Sequence, residues 1–284
     1  MRLTRQITGL MSFLAIAALV ACGGGGGDTG GAEGGGETAT PAGTPPAAVA
    51  DAGSVNGTID FTGSAPANEP IDMGEEPACA EKHSSPPTRE TVVANEGKLA
   101  NVFVYVKEGL TGEFPAPSEA VEVDQNGCVY IPHVIGVQTG QDVAFKNSDG
   151  LLHNIKAAPT ENRPFNISQP NNMTSPRSFS AQEVMVPVQC DVHGWMEMYI
   201  GVVDHPYFAV SGDDGSFTIE NLPPGSYTLE AWHERYGVQT QQVTVEPNGT
   251  ATVTFAYNAS MAANAVVPLG TPIDPHGHHQ AGDR

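Results

Sequence analysis

Basic residues are scarce in this chain, and their scarcity excludes one large class of partners. Only 12 of the 284 residues are lysine or arginine, against 32 aspartates and glutamates, so the net charge is −20. Because the phosphate backbone of nucleic acids selects basic surfaces, we expect no nucleic-acid partner. The same imbalance argues against attachment to anionic lipid by charge alone.

Long apolar runs are also missing, apart from one near the N-terminus. Two arginines precede an apolar run over residues 10–20, which is too short to span a bilayer and is typical of an export signal. The stretch Leu19-Val20-Ala21-Cys22 resembles the lipobox of bacterial lipoproteins. The resemblance implies that residues 1–21 are removed and that lipid on Cys22 anchors the protein in the cell envelope. Gly23 favours the outer membrane.

Cysteine is rare as well, with four in the whole chain. Export implies an oxidising compartment in which disulfides persist. If Cys22 carries lipid, an odd number of cysteines remains. The simplest partition is a Cys79–Cys128 disulfide, with Cys190 kept as a thiolate for a metal. The alternative, a merely buried Cys190, fits poorly with a histidine three residues later on a polar loop.

Sustained helical periodicity is absent after the signal, so we predict an all-β protein. Residues 22–53 are rich in glycine and are predicted to form a disordered tether. Alternating apolar residues predict strands from residue 54 onward, interrupted by a polar surface excursion over residues 156–182. The tail over residues 259–284 is predicted to be disordered, although three histidines in it could bind a metal weakly: His276, His278 and His279.

What the sequence does contain is a cluster of soft metal donors over residues 190–198. Cys190, His193, Met196 and Met198 lie on a loop between two predicted strands, at residues 183–188 and 199–203. Thiolate, imidazole and thioether suit copper, and two histidines with a cysteine and a weak axial methionine form an electron-transfer site. The second histidine must come from elsewhere in the chain, and we predict that it is His153.

Other chemistries fit this cluster less well. A binuclear copper centre needs a second cysteine on the loop, and zinc prefers more cysteine or histidine and no methionine. A Cys–His nucleophile would need an orienting residue and an oxyanion hole, and the sequence pattern indicates no residues for either. His133 could approach the site from a neighbouring strand, but we favour a surface role. Other histidines without a partner at ligand spacing are interpreted as structural: His83, His205 and His233.

Three motifs together resemble the blue-copper proteins of the cupredoxin family over residues 120–204. They are Tyr130-Ile131-Pro132-His133-Val134 with the strand that follows it, the spacing from Asn147 to His153-Asn154, and Cys190-x-x-His193-x-x-Met196. The resemblance implies four copper ligands, with a second methionine as the alternative axial ligand: His153, Cys190, His193 and Met196, or Met198 in place of Met196. It also implies that Asn147 and Asn154 hydrogen-bond around the ligands.

A second resemblance covers residues 205–258. The stretch from Gly215-Ser216-Phe217 to Gly225-Ser226-Tyr227 is similar to the carboxypeptidase regulatory-like, or transthyretin-like, β-sandwich. That family is a structural or interaction module without catalytic residues. Residues 57–63 and 101–106 look like the first strands of the same family. We therefore hypothesise that the cupredoxin-like part is inserted between two halves of this sandwich.

The sequence thus predicts a cupredoxin-like Greek-key β-sandwich joined to a smaller transthyretin-like β-sandwich. The expected function is electron transfer through one copper ion, Cu(I)/Cu(II), with a redox protein such as a c-type cytochrome as partner and no enzymatic activity. The alternative is an envelope scaffold, adhesion or copper-holding protein whose cupredoxin fold does no redox work. The predicted segments are a signal (1–21), a tether (22–53), N-terminal strands with a loop (54–118), a copper domain (119–204), a second sandwich (205–258) and a tail (259–284).

Overall fold

The computed structural model describes residues 49–264. The signal, Cys22 and the histidines of the tail lie outside this range. The prediction of an all-β fold is confirmed, since the described chain is built from eighteen strands and two short helical segments. A 3-10 helix, Ala259–Asn264, follows the last strand of the described range. Among residues 49–264, no helix has the length and apolar character to cross a membrane.

The strands form four sheets, which pair into two sandwiches. In chain order the elements are β1 (Gly53–Thr62), α1 (Pro77–Ala80), β2 (Ala94–Asn95), β3 (Lys98–Leu99), β4 (Phe103–Glu108), β5 (Val121–Gln125), β6 (Tyr130–Ile131), β7 (Val134–Gln138), β8 (Asp142–Asn147), β9 (His153–Ala157), β10 (Phe165–Gln169), β11 (Met173–Ser178), β12 (Glu183–Gln189), β13 (Glu197–Val203), β14 (Phe208–Val210), β15 (Ser216–Leu222), β16 (Gly225–His233), β17 (Gly237–Val245) and β18 (Thr250–Asn258).

The first sandwich, here called the terminal sandwich, combines strands from both ends of the described chain. In one sheet β1 pairs antiparallel with β15 and parallel with β18 along its whole length. In the other sheet β4 lies between β14 and β16, and β17 follows. Alternate side chains of β1 point inward, and Val55 and Ile59 are fully buried in one core with Phe255 of β18. Strands before and after residues 119–204 therefore share one hydrophobic core.

The central sandwich consists of β5 to β13. One sheet has the order β10-β9-β12-β13-β7 and the other the order β11-β8-β5-β6. Its core contains alternate residues of the facing strands, such as Val143 and Phe145 of β8 and Ile200 and Val202 of β13. The β7–β13 and β5–β8 pairs are parallel, so each needs a connection that crosses the sandwich.

The predicted surface excursion at residues 156–182 is wrong in part. It contains β10 and β11, which pair with β9 and β8 at the edges of the two central sheets. Its polar composition and prolines indicated a loop, but edge strands keep one face in water and tolerate proline. Pro176 lies within β11 opposite Ala144.

The two sandwiches pack against each other through one apolar cluster. Phe103 and Phe208 of the terminal sandwich meet Val134 and Val203 of the central sandwich there. Gly201 lies directly beneath the Phe103 ring, and a β-carbon at this position would lie 2.5 Å from it. The absence of a side chain therefore allows the aromatic ring to lie flat against the sheet.

Residues 70–87, here called the covering segment, close one end of the central sandwich. Ile71 and Met73 are buried in the central core together with Cys79 of α1. Cys79 forms a disulfide with Cys128, the pair expected from the sequence. The disulfide fixes the covering segment to the loop between β5 and β6.

Candidate metal centre

Strand pairing brings the distant histidine and the cysteine together. His153 is the first residue of β9, and Cys190 directly follows β12. These two strands are hydrogen-bonded neighbours, with Gln189 opposite Lys156. Two residues 37 positions apart in sequence therefore lie at the same end of the central sandwich.

Three of the predicted ligands converge on a single point. The Nδ1 atoms of His153 and His193 are 2.9 Å apart, and the Cys190 Sγ lies 4.0 Å from the His193 Nδ1. The ligand atoms of all three residues lie within 4.8 Å of one another, and all three residues are buried. Two unsubstituted ring nitrogens that face each other beside a sulfur form a donor set for a soft metal ion.

The surroundings of Cys190 favour its thiolate. Burial raises the pKa of the Cys190 thiol, but hydrogen bonds from His153, His193 and the Asn154 backbone N–H outweigh burial and lower the pKa to about 6. The backbone N–H groups of Asn154 and His193 each donate to the Cys190 Sγ at 3.4 Å. Since the thiolate is the form that binds metals, the site holds this sulfur ready for coordination.

Asp149 is a residue of the candidate site that sequence reasoning missed. Its side chain is fully buried, and its Oδ2 lies 2.9 Å from the His153 Nε2. The carboxylate also accepts hydrogen bonds from the backbone N–H groups of Gly127 and Cys128, both at 2.7 Å, and pairs with Lys82 at 3.0 Å. Burial raises the pKa of Asp149, but these donors, His153 foremost, lower it well below its ordinary value.

The carboxylate fixes the orientation of the His153 ring. With the Nε2–H directed to Asp149, the Nδ1 is the atom turned toward Cys190 and His193. Burial lowers the pKa of His153, whereas its bonds to Asp149 and Cys190 raise it, and the net direction is upward. A carboxylate on the far nitrogen of a ligating histidine is the usual way in which proteins orient such a ring. The sequence carried one signal for this role, a carboxylate four residues before the histidine.

Asn147 and Asn154 both hydrogen-bond close to the ligands. The Asn147 side chain donates to the Leu151 carbonyl at 2.8 Å and accepts from the Asp149 N–H at 3.0 Å, so it braces the turn that carries Asp149. The Asn154 Oδ1 accepts the N–H of Asp191, which ties β9 to the loop after Cys190.

The two candidate axial methionines are both buried. Met196 is 1% exposed and Met198 is fully buried, and both belong to the core that contains Cys190. Residues 190–196, here called the ligand loop, form a turn whose first and last residues are joined by a hydrogen bond. The Cys190 N–H donates to the Met196 carbonyl at 3.1 Å, and the Met196 N–H donates to the His193 carbonyl at 2.9 Å. Met196 is thus part of the ligand loop, whereas Met198 lies within β13 opposite Val188.

His193 is enclosed by aromatic and sulfur groups. It is only 3% exposed, its ring lies 5.1 Å from the Trp195 ring, and its Nε2 is 3.7 Å from the Cys79 Sγ. Trp195 in turn donates its indole N–H to the Cys128 carbonyl at 2.9 Å. The disulfide and the covering segment therefore lie over the face of His193 that points away from Cys190.

His133 lies neither on the surface nor in the metal site. It is 7% exposed at the boundary of the two sandwiches, where its Nε2 contacts the Glu234 Oε1 at 2.6 Å. The expected surface role is therefore wrong, because Glu234 of the terminal sandwich covers this position. The other histidines contact backbone carbonyls or aromatic rings: His83 the Gly127 carbonyl, His205 the Val106 carbonyl and His233 the Tyr236 ring.

Comparison with known proteins gives a family match for one part of the chain. The family model of the carboxypeptidase regulatory-like domain matches residues 201–258. This range contains β14 to β18, and in the structure β1 and β4 complete the same sandwich. A search of curated protein sequences returned no match.

Solved structures with similarity to this chain include a nitrite reductase, a cupredoxin and an amicyanin. A copper-containing nitrite reductase from Thermus scotoductus is 21% identical, with 34% of this chain and 25% of that chain covered and a TM-score of 0.27. A purple cupredoxin from Nitrosopumilus maritimus is 17% identical, with 29% and 98% covered and a TM-score of 0.25. An oxidised variant of amicyanin is 17% identical, with 35% and 97% covered and a TM-score of 0.27. The matched region thus spans only a quarter of the nitrite reductase.

Proposed function

We propose that this protein is a lipid-anchored copper protein of the cell envelope that carries single electrons. The observation that supports the proposal most is the convergence of the His153 Nδ1, the His193 Nδ1 and the Cys190 Sγ at one buried point. Two imidazoles and a thiolate at the end of a β-sandwich, with methionine nearby, are the donor set of a one-copper electron-transfer site. Copper bound there would supply the one-electron change between Cu(I) and Cu(II).

The donor set fits a copper ion in chemistry and in spacing. Metal–nitrogen bonds are about 2 Å long, so two nitrogens on one ion lie at most about 4 Å apart. The 2.9 Å between the facing Nδ1 atoms is within this limit. His153, Cys190 and His193 would hold the ion, with Met196 or Met198 as the weak fourth ligand. Asp149 keeps His153 oriented, and the two N–H groups at the Cys190 sulfur moderate its negative charge.

The proposal includes a partner and a location. The acidic chain would steer a basic redox protein, such as a c-type cytochrome, and lipid on Cys22 would hold the protein on the outer membrane. No catalytic step is assigned, because a one-electron carrier acts on its partner's centre and binds no organic substrate.

A copper-holding protein without redox work is the second candidate. It is favoured by one observation, the burial of both histidines, with His193 covered by Cys79 and Trp195. A covered histidine lengthens the path for an electron and slows copper exchange. The two candidates differ in electron-transfer rate with a small redox protein, which is fast for a carrier and slow for a storage site.

The first prediction concerns colour. The full-length protein, loaded with copper and oxidised, should show an intense visible absorption band from charge transfer between the Cys190 thiolate and Cu(II), because thiolate coordination is required for this transition. The variant Cys190→Ser should lose this band. Absorption spectra with copper content measured in parallel provide the test.

Val192→Ser is the matched control. It introduces the same residue into the same loop, but the Val192 side chain is exposed and is not a ligand. This variant should keep the band. A colourless copper-loaded protein, or a Cys190→Ser variant that keeps its colour, would contradict the proposed electron-transfer site.

A further inference from the structure

A second set of metal donors lies on the other side of His193. The Sγ atoms of Cys79 and Cys128 and a ring nitrogen of His193 lie within 4.8 Å of one another, and all three residues are buried. In the structure the two sulfurs form a disulfide, so they are not available to a metal. Breaking that one bond would produce two thiols beside an imidazole.

The second ring nitrogen of His193 is poorly satisfied. Its Nδ1 faces His153 and Cys190, whereas its Nε2 points to the Cys79 Sγ at 3.7 Å. A disulfide sulfur is a weak hydrogen-bond acceptor, and a buried polar atom without a good partner costs about 1–3 kcal/mol. Within residues 49–264 no oxygen lies at hydrogen-bond distance from this Nε2, although His193 is only 3% exposed. The nitrogen is thus oriented toward the position that the thiols would occupy.

We propose that reduction of the Cys79–Cys128 disulfide creates a second copper site, in which two thiolates and the His193 Nε2 bind Cu(I). Two thiolates and an imidazole are the soft donors that Cu(I) prefers. The inference extends the proposed function, because His193 would serve one ion through each ring nitrogen. A ring that serves both ions gives up both of its protons, so we expect the second equivalent to bind more weakly than the first.

The required chemistry is a two-electron reduction followed by proton release. A dithiol reductant supplies two electrons and two protons, the Cys79–Cys128 bond breaks, each sulfur takes one proton, and the reductant leaves as its own disulfide. Binding of Cu(I) then releases three protons to solvent, one from each thiol and one from the His193 Nε2, because the His193 Nδ1 already holds the first ion. The ion does not change its oxidation state in this step.

The fold gives the sulfurs room to separate. A cleft of about 440 Å³ lies beside α1 and is lined by Met73, Ala80 and His83. Ala80 directly follows Cys79, so α1 borders open space into which it can shift once the disulfide is broken. The rest of the central sandwich need not change, because Cys128 remains fixed by the bond from its N–H to Asp149.

The test is a count of Cu(I) ions on the full-length protein. Protein is reduced, freed of reductant without oxygen, and titrated with Cu(I) in competition with bicinchoninate. We expect one equivalent on the oxidised protein and two on the reduced protein. The double variant Cys79→Ser, Cys128→Ser should bind one equivalent under both conditions. One equivalent on the reduced, unchanged protein would overturn the proposal, as would two equivalents on the double variant.

A second measurement needs no variant. On the reduced protein, the second equivalent of Cu(I) should protect Cys79 and Cys128 from alkylation, as mapped by mass spectrometry, whereas alkylation in the presence of that equivalent would overturn the proposal. A second site filled by Zn(II) but not by Cu(I) would also overturn it. Failure of the proposed electron-transfer site is seen separately, as a missing absorption band in the oxidised protein whose disulfide is intact.

Discussion

At the scale of single residues, the geometry of the candidate site depends on a carboxylate outside the predicted donor set. Asp149 receives four donors, two from backbone N–H groups and one each from Lys82 and His153. These hydrogen bonds satisfy the fully buried Asp149 carboxylate, and the bond to the His153 Nε2 fixes the orientation of that ring. Orientation of His153 is therefore set by the turn before β9 and does not depend on a metal.

The second prediction is that Asp149→Asn weakens copper binding by about 10–100-fold. The asparagine amide has nearly the same shape as the carboxylate, but it is uncharged. Its NH₂ group must also point at one of the groups that now donate hydrogen bonds to Asp149. The ring of His153 then loses its fixed orientation. Copper affinity, measured by competition with a chelator, checks the prediction.

Asp142→Asn serves as the comparison for that measurement. Asp142 carries a carboxylate as Asp149 does, but it is exposed and lies at the start of β8 opposite Ser178, whereas Asp149 lies in the turn after that strand. Its variant should bind copper as the unchanged protein does. Equal affinities for all three proteins would show that Asp149 does not position His153.

At the scale of elements, the ligand loop and β13 offer different methionines to the same site. Met196 belongs to the closed loop, whose two ends are joined by the bond from the Cys190 N–H to the Met196 carbonyl. Met198 belongs to a strand whose alternate residues, Ile200 and Val202, fill the central core. A loop residue can adjust its distance to an ion more easily than a residue held in a strand, which favours Met196.

The third prediction distinguishes the two methionines. Met196→Leu should raise the reduction potential of bound copper by roughly 60 mV, which corresponds to a tenfold change in the relative affinity for the two oxidation states. The reason is that a thioether stabilises Cu(II) more than a methyl group does. Leucine is similar in volume, so the core should be kept. Voltammetry on the copper-loaded protein gives the potential.

Met198→Leu is the paired variant and should leave the potential unchanged. If Met198→Leu shifts the potential and Met196→Leu does not, the axial ligand is Met198. If neither variant shifts it, no methionine coordinates the ion.

Sequence reasoning predicted the fold class and named three residues that the structure brings together, His153, Cys190 and His193, because strands and donor-rich loops leave local patterns in a sequence. Alternating apolar and polar residues predict strands. A cysteine and a histidine three residues apart on a loop are typical of a metal site. Sequence reasoning could not find Asp149 or the contact between His193 and Cys79, because these depend on which loops meet at the end of a sandwich. The edge strands β10 and β11 were missed for a related reason, since an edge strand in water has the composition of a loop.

At the scale of the whole molecule, one buried ion pair connects the two sandwiches. His133 precedes β7 of the central sandwich, and Glu234 follows β16 of the terminal one. Burial lowers the pKa of His133, but the hydrogen bond and charge of Glu234, with Glu90 and Glu197 nearby, raise it above its ordinary value. Tyr199 packs edge-on against the same imidazole, with 5.8 Å between the ring centroids.

The fourth prediction concerns the stability of this contact. His133 has a higher pKa in the folded than in the unfolded state, whose value is about 6.5. The ion pair therefore stabilises the fold fully below about pH 6.5 and loses its effect as the pH rises through the folded value. His133→Gln should lower the free energy of unfolding by about 1–3 kcal/mol at about pH 5.5, and by less at higher pH. Urea unfolding at several pH values provides the measurement.

His83→Gln is the control for the pH series. His83 is half-buried and contacts the Gly127 carbonyl, and it forms no ion pair with a carboxylate in the described part of the chain. The free energy of unfolding of this variant should differ little from that of the unchanged protein. The difference should not decrease with rising pH, as it does for His133→Gln. A His133→Gln effect that grows with pH would contradict the assigned sign.

The parallel pairing of β1 with β18 has a consequence for biosynthesis. The hydroxyl groups of Ser54 and Thr250 form a hydrogen bond across 196 positions of sequence. The sheet that contains β1 is therefore complete only after β18 has been synthesised. The nine strands of the central sandwich can fold without that pairing, because their two sheets include no strand from either end of the described chain and the covering segment that joins their core is synthesised before them. A chain truncated before residue 250 would therefore contain a folded central sandwich attached to an open sheet, in which the edge of β1 that pairs with β18 is exposed and is a target for proteolysis and aggregation.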